Sequence, residues 1–158
     1  MIAELDRYQG IVLRQILVAH GDPVRIGVVD LSGRVDAFCF EKAAFQVKHS
    51  SKRLSPWQFT YTSENLAELT ELRKTYAPVW AFLVCGQDGV VGLSLDDLTS
   101  IVELGAEHTA WVRVSRSRNS MYRIAGGLGE LPRAMSRGVQ SFLAEVFGTA
   151  TVVKPNAN

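Results

Sequence analysis

Apolar residues recur over the first twenty positions at the spacing of a helix. Leu5, Tyr8, Val12, Ile16 and Ala19 fall on one side of a helix spanning residues 3–19. Gly21-Asp22-Pro23 breaks the pattern. The period then changes. Val24 to Asp30 is rich in β-branched residues and predicts a strand, and Ser32-Gly33 predicts a turn. Arg34 to Phe40 predicts a second strand, with Val35, Ala37 and Cys39 on one face and Asp36, Phe38 and Phe40 on the other. A turn near Glu41-Lys42 leads into a third strand, Ala43 to His49, and the three segments read as an antiparallel meander.

A polar loop over 50–56 precedes Trp57 to Tyr61, whose alternation marks a short half-buried strand. Ser63 is the expected N-cap of a helix running to about Lys74, with Leu66, Leu69, Leu72 and Tyr76 on one face. Val79 to Cys85 is almost wholly apolar, as expected of a strand covered on both sides. Gln87-Asp88-Gly89 is a hairpin turn and Val90 to Leu93 returns. Ser94 and Asp97 form a capping pattern for a short helix through Val102. Two further short strands over 110–115 and 121–125, a glycine-rich turn at 126–129 and a helix from Ser136 to Phe147 complete the pattern. An apolar strand after a helix implies a crossover onto the same sheet. The expected fold is a single α/β domain over residues 1–150. Its core (3–102) is a central mixed sheet, meander plus crossover strand, flanked by helices. A small strand-strand-helix extension occupies 109–147, and 151–158 forms a flexible tail.

Composition changes this picture little. Hydrophobic residues make up 47% of the 158, enough to bury a core, and the formal net charge of +1 dictates no partner. Charge is uneven along the chain. Residues 64–107 are acidic, whereas Lys42, Lys48, Lys52 and Arg53 fall together, and six arginines lie between 113 and 137. Cys39 and Cys85 sit inside apolar runs and read as reduced, buried thiols. No apolar run is long enough to span a membrane, and no leader pattern opens the chain, so a cytoplasmic location is expected.

The hairpin from Arg34 to His49 carries the candidate chemistry. A turn centred on Glu41 to Ala43 sets residues summing to about 84 opposite one another, so that Asp36 faces Lys48. Gln46 shares the face of Lys48 through period two. A carboxylate, an amide oxygen and an ammonium then converge. Hard Mg²⁺ takes oxygen ligands and keeps several waters, while a lysine can position the attacking water or stabilise charge on a phosphate. The register is decisive, because a slip of one residue sends the set to opposite faces. The same residues also read as a plain cross-strand ion pair.

At these positions the chain resembles the restriction-endonuclease-like, or PD-(D/E)XK, superfamily. Asp36 corresponds to the acid of its second strand, and Gln46-Val47-Lys48 resembles the Gln-x-Lys variant of Mrr-type restriction enzymes. Gln46 stands where an acid is usual, and Val35 where the name of the motif has proline. The resemblance implies a Mg²⁺-dependent nuclease-like site, with Asp36, Gln46 and Lys48 catalytic and Asp36, Gln46 and the first-helix acid Glu4 around the metal. The segment from Lys48 to Phe59 also looks like a family of bacterial proteins to which no activity is attached.

Two basic clusters suit a nucleic-acid partner. His49, Lys52 and Arg53 lie beside the proposed site, with Trp57 near enough to stack a base. Arg113, Arg116 and Arg118 follow in an alternating run that suits a phosphate backbone or, equally, guards a strand edge. The alternative function is a non-catalytic protein-interaction or regulatory module that keeps the fold and works through its protein surface, with a homodimer among the partners considered.

Overall fold

The computed structural model describes residues 1–30, 37–105 and 108–148. Helix α1 (Glu4–His20) buries Tyr8, Val12 and Ile16 and ends at Gly21. Gly21 takes a left-handed φ of 83° and returns its N–H to the Leu17 carbonyl, as a helix C-terminus requires.

Strands β1 (Ile26–Val29), β2 (Ala37–Phe40) and β3 (Ala43–Ser50) form the expected meander, but in a different register. The pairs of the β2–β3 hairpin are Ala37–Gln46, Phe38–Phe45, Cys39–Ala44 and Phe40–Ala43, which sum to 83 rather than 84. The cause lies in the turn. Only Glu41 and Lys42 are left unpaired, and Glu41 adopts φ 55°. That conformation is held from the residue just before β1, because Glu41 N–H donates to the Arg25 carbonyl and Glu41 Oε2 accepts from Arg25 N–H. The shift places Gln46 and Lys48 on the face of Ala37 and Cys39 rather than that of Phe38 and Phe40. The expected opposition of Asp36 and Lys48 is therefore not the register of this hairpin; Asp36 itself lies outside the described residues.

The chain next forms β4 (Trp57–Tyr61) and α2 (Ser63–Leu72), then returns as β5 (Val79–Cys85) parallel to β3. The N-cap of α2 is Thr62 rather than Ser63, in a reciprocal capping box with Asn65. Strand β6 (Gly89–Ser94) closes a five-stranded mixed sheet of order β1-β2-β3-β5-β6, followed by α3 (Leu95–Ile101) capped by Ser94.

The strands after α3 are not an appendage. β7 (Ala110–Ser115) pairs with β4, and β8 (Arg123–Gly126) and β9 (Gly129–Glu130) complete a second, antiparallel sheet of order β4-β7-β8-β9. Trp57, Phe59, Val112, Val114 and Ile124 of this sheet pack with α2, α3 and the Ala44, Ala81 and Leu83 face of the main sheet. The opposite face, with Phe40, Phe45 and Phe82, is covered by α1 and α4 (Gln140–Phe147). Helix α4 begins later than the pattern implies, because residues before it are held as extended bridges, Met135 to Tyr122 and Gly138 to Val91. Among the described residues, no helix is long and apolar enough to cross a membrane.

Candidate functional site

Strand β3 changes character along its length. Its first half is sealed, whereas Lys48, His49 and Ser50 are half-buried where the sheet meets α1, β4 and α2. There a cleft of about 500 Å³ is lined by Leu5, Gln46, Lys48, His49, Thr60 and Asn65, among others.

Gln46 and Lys48 point from β3 toward α2. Asn65 and Glu68 are three residues apart on α2 and meet them one turn above the other. Gln46, 1% exposed, donates from Nε2 to Glu68 Oε1 at 3.2 Å, while its Oε1 has no hydrogen-bond partner among the described residues. Such an orphaned acceptor costs about 1–3 kcal/mol. Lys48 Nζ donates to the Thr60 carbonyl and to Asn65 Oδ1 at 2.9 Å, and lies 5.0 Å from the centre of the Tyr61 ring. Asn65 Oδ1 also accepts from Thr62 N–H, so the capping box of α2 and the lysine are one network. The Tyr61 hydroxyl is fully buried with no partner among the described residues, and desolvation raises its pKa well above the ordinary phenol value.

The structure thus unites Gln46 and Lys48 on one face and adds Asn65 and Glu68. In the sequence Glu68 is one acid within the acidic stretch 64–107. The available signal was its position directly beside Leu69 and Leu72, within the width of the apolar stripe. Glu4 is brought to His49, with Oε1 3.5 Å from Nε2, and the imidazole stacks on Tyr8 with ring centres 4.5 Å apart. His49 alternates away from Gln46 and Lys48 but reaches the same cleft. Among the described residues, no group of three His, Cys, Asp or Glu side chains gathers as a metal cage.

Two of the expected nucleic-acid contacts are corrected. Trp57 cannot stack a base. It is 2% exposed, its indole N–H donates to the Lys52 carbonyl at 2.8 Å, and its ring meets Tyr122 edge-on. Arg116 is not an open phosphate ligand, because its Nε and Nη2 grip both oxygens of Asp88 at 2.7 and 2.6 Å. Lys52 Nζ bonds to the Pro56 carbonyl of its own loop, and Arg113 lies over the Trp111 ring. Arg53 and Arg118 are exposed. Of these seven residues, only His49 lines the cleft.

Asp88 is the hub that pattern reasoning missed. From the β5–β6 turn it binds Arg116, accepts from the Tyr122 hydroxyl at 2.6 Å and lies 3.6 Å from Arg137. It ties the main sheet to the second sheet and to the segment before α4. The Arg116 hydrogen bond, foremost among these contacts, holds the Asp88 carboxyl down at about 2. A depressed carboxyl contributes stability that is fully present above its unfolded value near 4 and is lost as pH falls toward 2. Asp88→Asn is expected to lower unfolding free energy by about 2 kcal/mol at neutral pH. It should also flatten the acid limb of a urea-midpoint profile between about pH 4 and 2. An unchanged profile would show that the hub carries no stability.

Comparison with family models, with curated proteins and with solved structures finds no match to this chain.

Proposed function

We propose that the chain is a restriction-endonuclease-like domain whose β3–α2 cleft takes a phosphodiester together with a divalent cation. The observation that carries this reading is Gln46: a fully buried amide, anchored through nitrogen to Glu68, with an acceptor oxygen that none of the described residues uses, beside a lysine on the same strand face. The element order supports it. The helix, meander, helix and parallel strand of the superfamily correspond to α1, β1–β3, α2 and β5, with β4 inserted in the crossover.

Mg²⁺ takes oxygen ligands and keeps several of its waters. Gln46 Oε1 would ligate it as a neutral oxygen, and Glu68 would orient the amide and add charge behind it, while Asp36, the acid that the resemblance names, lies outside the described residues. Bound there, the cation would polarise a phosphodiester and acidify a water. Lys48 contributes positive charge to the phosphate, held on the Thr60 carbonyl and Asn65 Oδ1.

The test is nicking of plasmid DNA and cleavage of single-stranded DNA and RNA with Mg²⁺ or Mn²⁺. Cleavage that falls at least about tenfold in Lys48→Ala and in Gln46→Leu supports the reading. No cleavage of any substrate with either metal defeats the enzyme. The second reading, a non-catalytic module that keeps the fold, is favoured by the engagement of Lys48 and Arg116 within the protein. It predicts a folded protein whose melting temperature does not respond to either cation.

A further inference from the structure

We propose that β1 is the seam of a homodimer, in which two copies pair their β1 strands antiparallel about a twofold axis through Gly27. β1 is an outer strand of the five-stranded sheet. The Glu41 N–H to Arg25 carbonyl bond turns the backbone groups of Arg25 inward to β2, and by alternation those of Gly27 and Val29 follow. The N–H and C=O groups of Ile26 and Val28 therefore face outward. Natural edge strands are blunted by charge, proline or a covering segment. Ile26 to Val29 contains no charged residue and no proline.

The side chains are exposed and apolar as well. Ile26 and Val28 share one face of β1 and are 36% and 58% exposed. On α1, Ile11 and Val18 are seven residues apart, hence on one flank, and are 40% and 63% exposed. His20, on the other flank of α1, stacks on Phe147 of α4 and meets Phe40 of β2 edge-on.

The occupant that this edge fits is its own copy. Antiparallel pairing centred on Gly27 sets Ile26 of each copy opposite Val28 of the other. The two outward pairs exchange four backbone hydrogen bonds, and two apolar cross-strand pairs form on the same face. Gly27 meets Gly27 at the axis, where opposed strands come closest and no side chain intervenes. The same patch serves both copies, so the contact closes on itself and no further copy can add. Two five-stranded sheets become one of ten.

Sedimentation of the full chain across micromolar concentrations tests this. Wild type is expected to pass from monomer to dimer. Val28→Glu, shown folded by circular dichroism, should raise the dissociation constant at least about tenfold, since it sets a charge against an apolar partner at both pairs. Ile26→Lys combined with Val28→Glu opposes an introduced lysine to an introduced glutamate at both pairs, and should return dimerisation to within about threefold of wild type. Hydrogen exchange needs no variant: the Ile26 and Val28 amides of wild type should slow as concentration rises. A wild type that stays monomeric, a folded Val28→Glu that dimerises normally, or amide rates independent of concentration overturns the proposal.

Discussion

Phe142→Ala is expected to lower the free energy of unfolding by about 4 kcal/mol. Phe142 is fully buried on α4, and its ring centre lies 5.3 to 5.7 Å from those of Phe40, Phe45, Trp80 and Phe82. These four rings belong to β2, β3 and β5, so one side chain near the C-terminus completes the aromatic layer of the main sheet. Truncation removes the transfer energy of a phenyl ring, and the four edge and tilted contacts cannot collapse into the space without moving three strands. A urea titration measures it. A loss under about 1.5 kcal/mol would mean that α4 is peripheral and that residues after the second sheet are dispensable.

The second large effect is expected at Gln46 and Glu68, and its sign depends on whether one or both are changed. Glu68→Leu leaves the Gln46 amide buried with neither end bonded, at a cost of about 2–3 kcal/mol. Replacing both by leucine removes the buried acceptor, the carboxylate and the need to desolvate either. The double variant should unfold at or above the wild-type denaturant concentration. The coupling between the two substitutions should exceed about 1 kcal/mol. Simple additivity would contradict the paired geometry. A double variant more stable than wild type but inert toward Mn²⁺ would show that the chain keeps a destabilising polar pair for a task other than folding.

The elements were legible where local pattern and tertiary role agree. The stripe of Tyr8, Val12 and Ile16, the apolar run of β5 and the Ser94–Asp97 cap each stand in the structure as the pattern implies. What escaped was set by contacts distant in sequence. The β2–β3 register depends on Glu41 adopting a left-handed φ that Arg25 secures from the entry to β1. Alternation marked Trp57 to Tyr61 as a half-buried strand, but alternation cannot say which sheet the strand joins, and its partner lies in β7. That choice buries Trp57 and removes it from any surface. Arg116 looked like part of an open basic run because Asp88, its partner, lies 28 positions away. In the candidate site, Gln46 and Lys48 could be placed together by period two, whereas Glu68 and Asn65 required knowing how α2 crosses β3.

The insertion of β4 into the crossover sets the order in which the protein can be assembled during synthesis. β4 emerges with residues 57–61, but its hydrogen-bonding partner β7 arrives only with residues 110–115. Until then Trp57, Phe59 and Tyr61 stand on an unpaired strand, the kind of surface that binds chaperones or other nascent chains. The Thr60 carbonyl that holds Lys48 belongs to the same strand. Pairing at such separation is intrinsically slow. The cleft is therefore completed late, after the ribosome has delivered the second sheet. A chain interrupted before residue 110 would carry every residue of the cleft and still be unable to shape it.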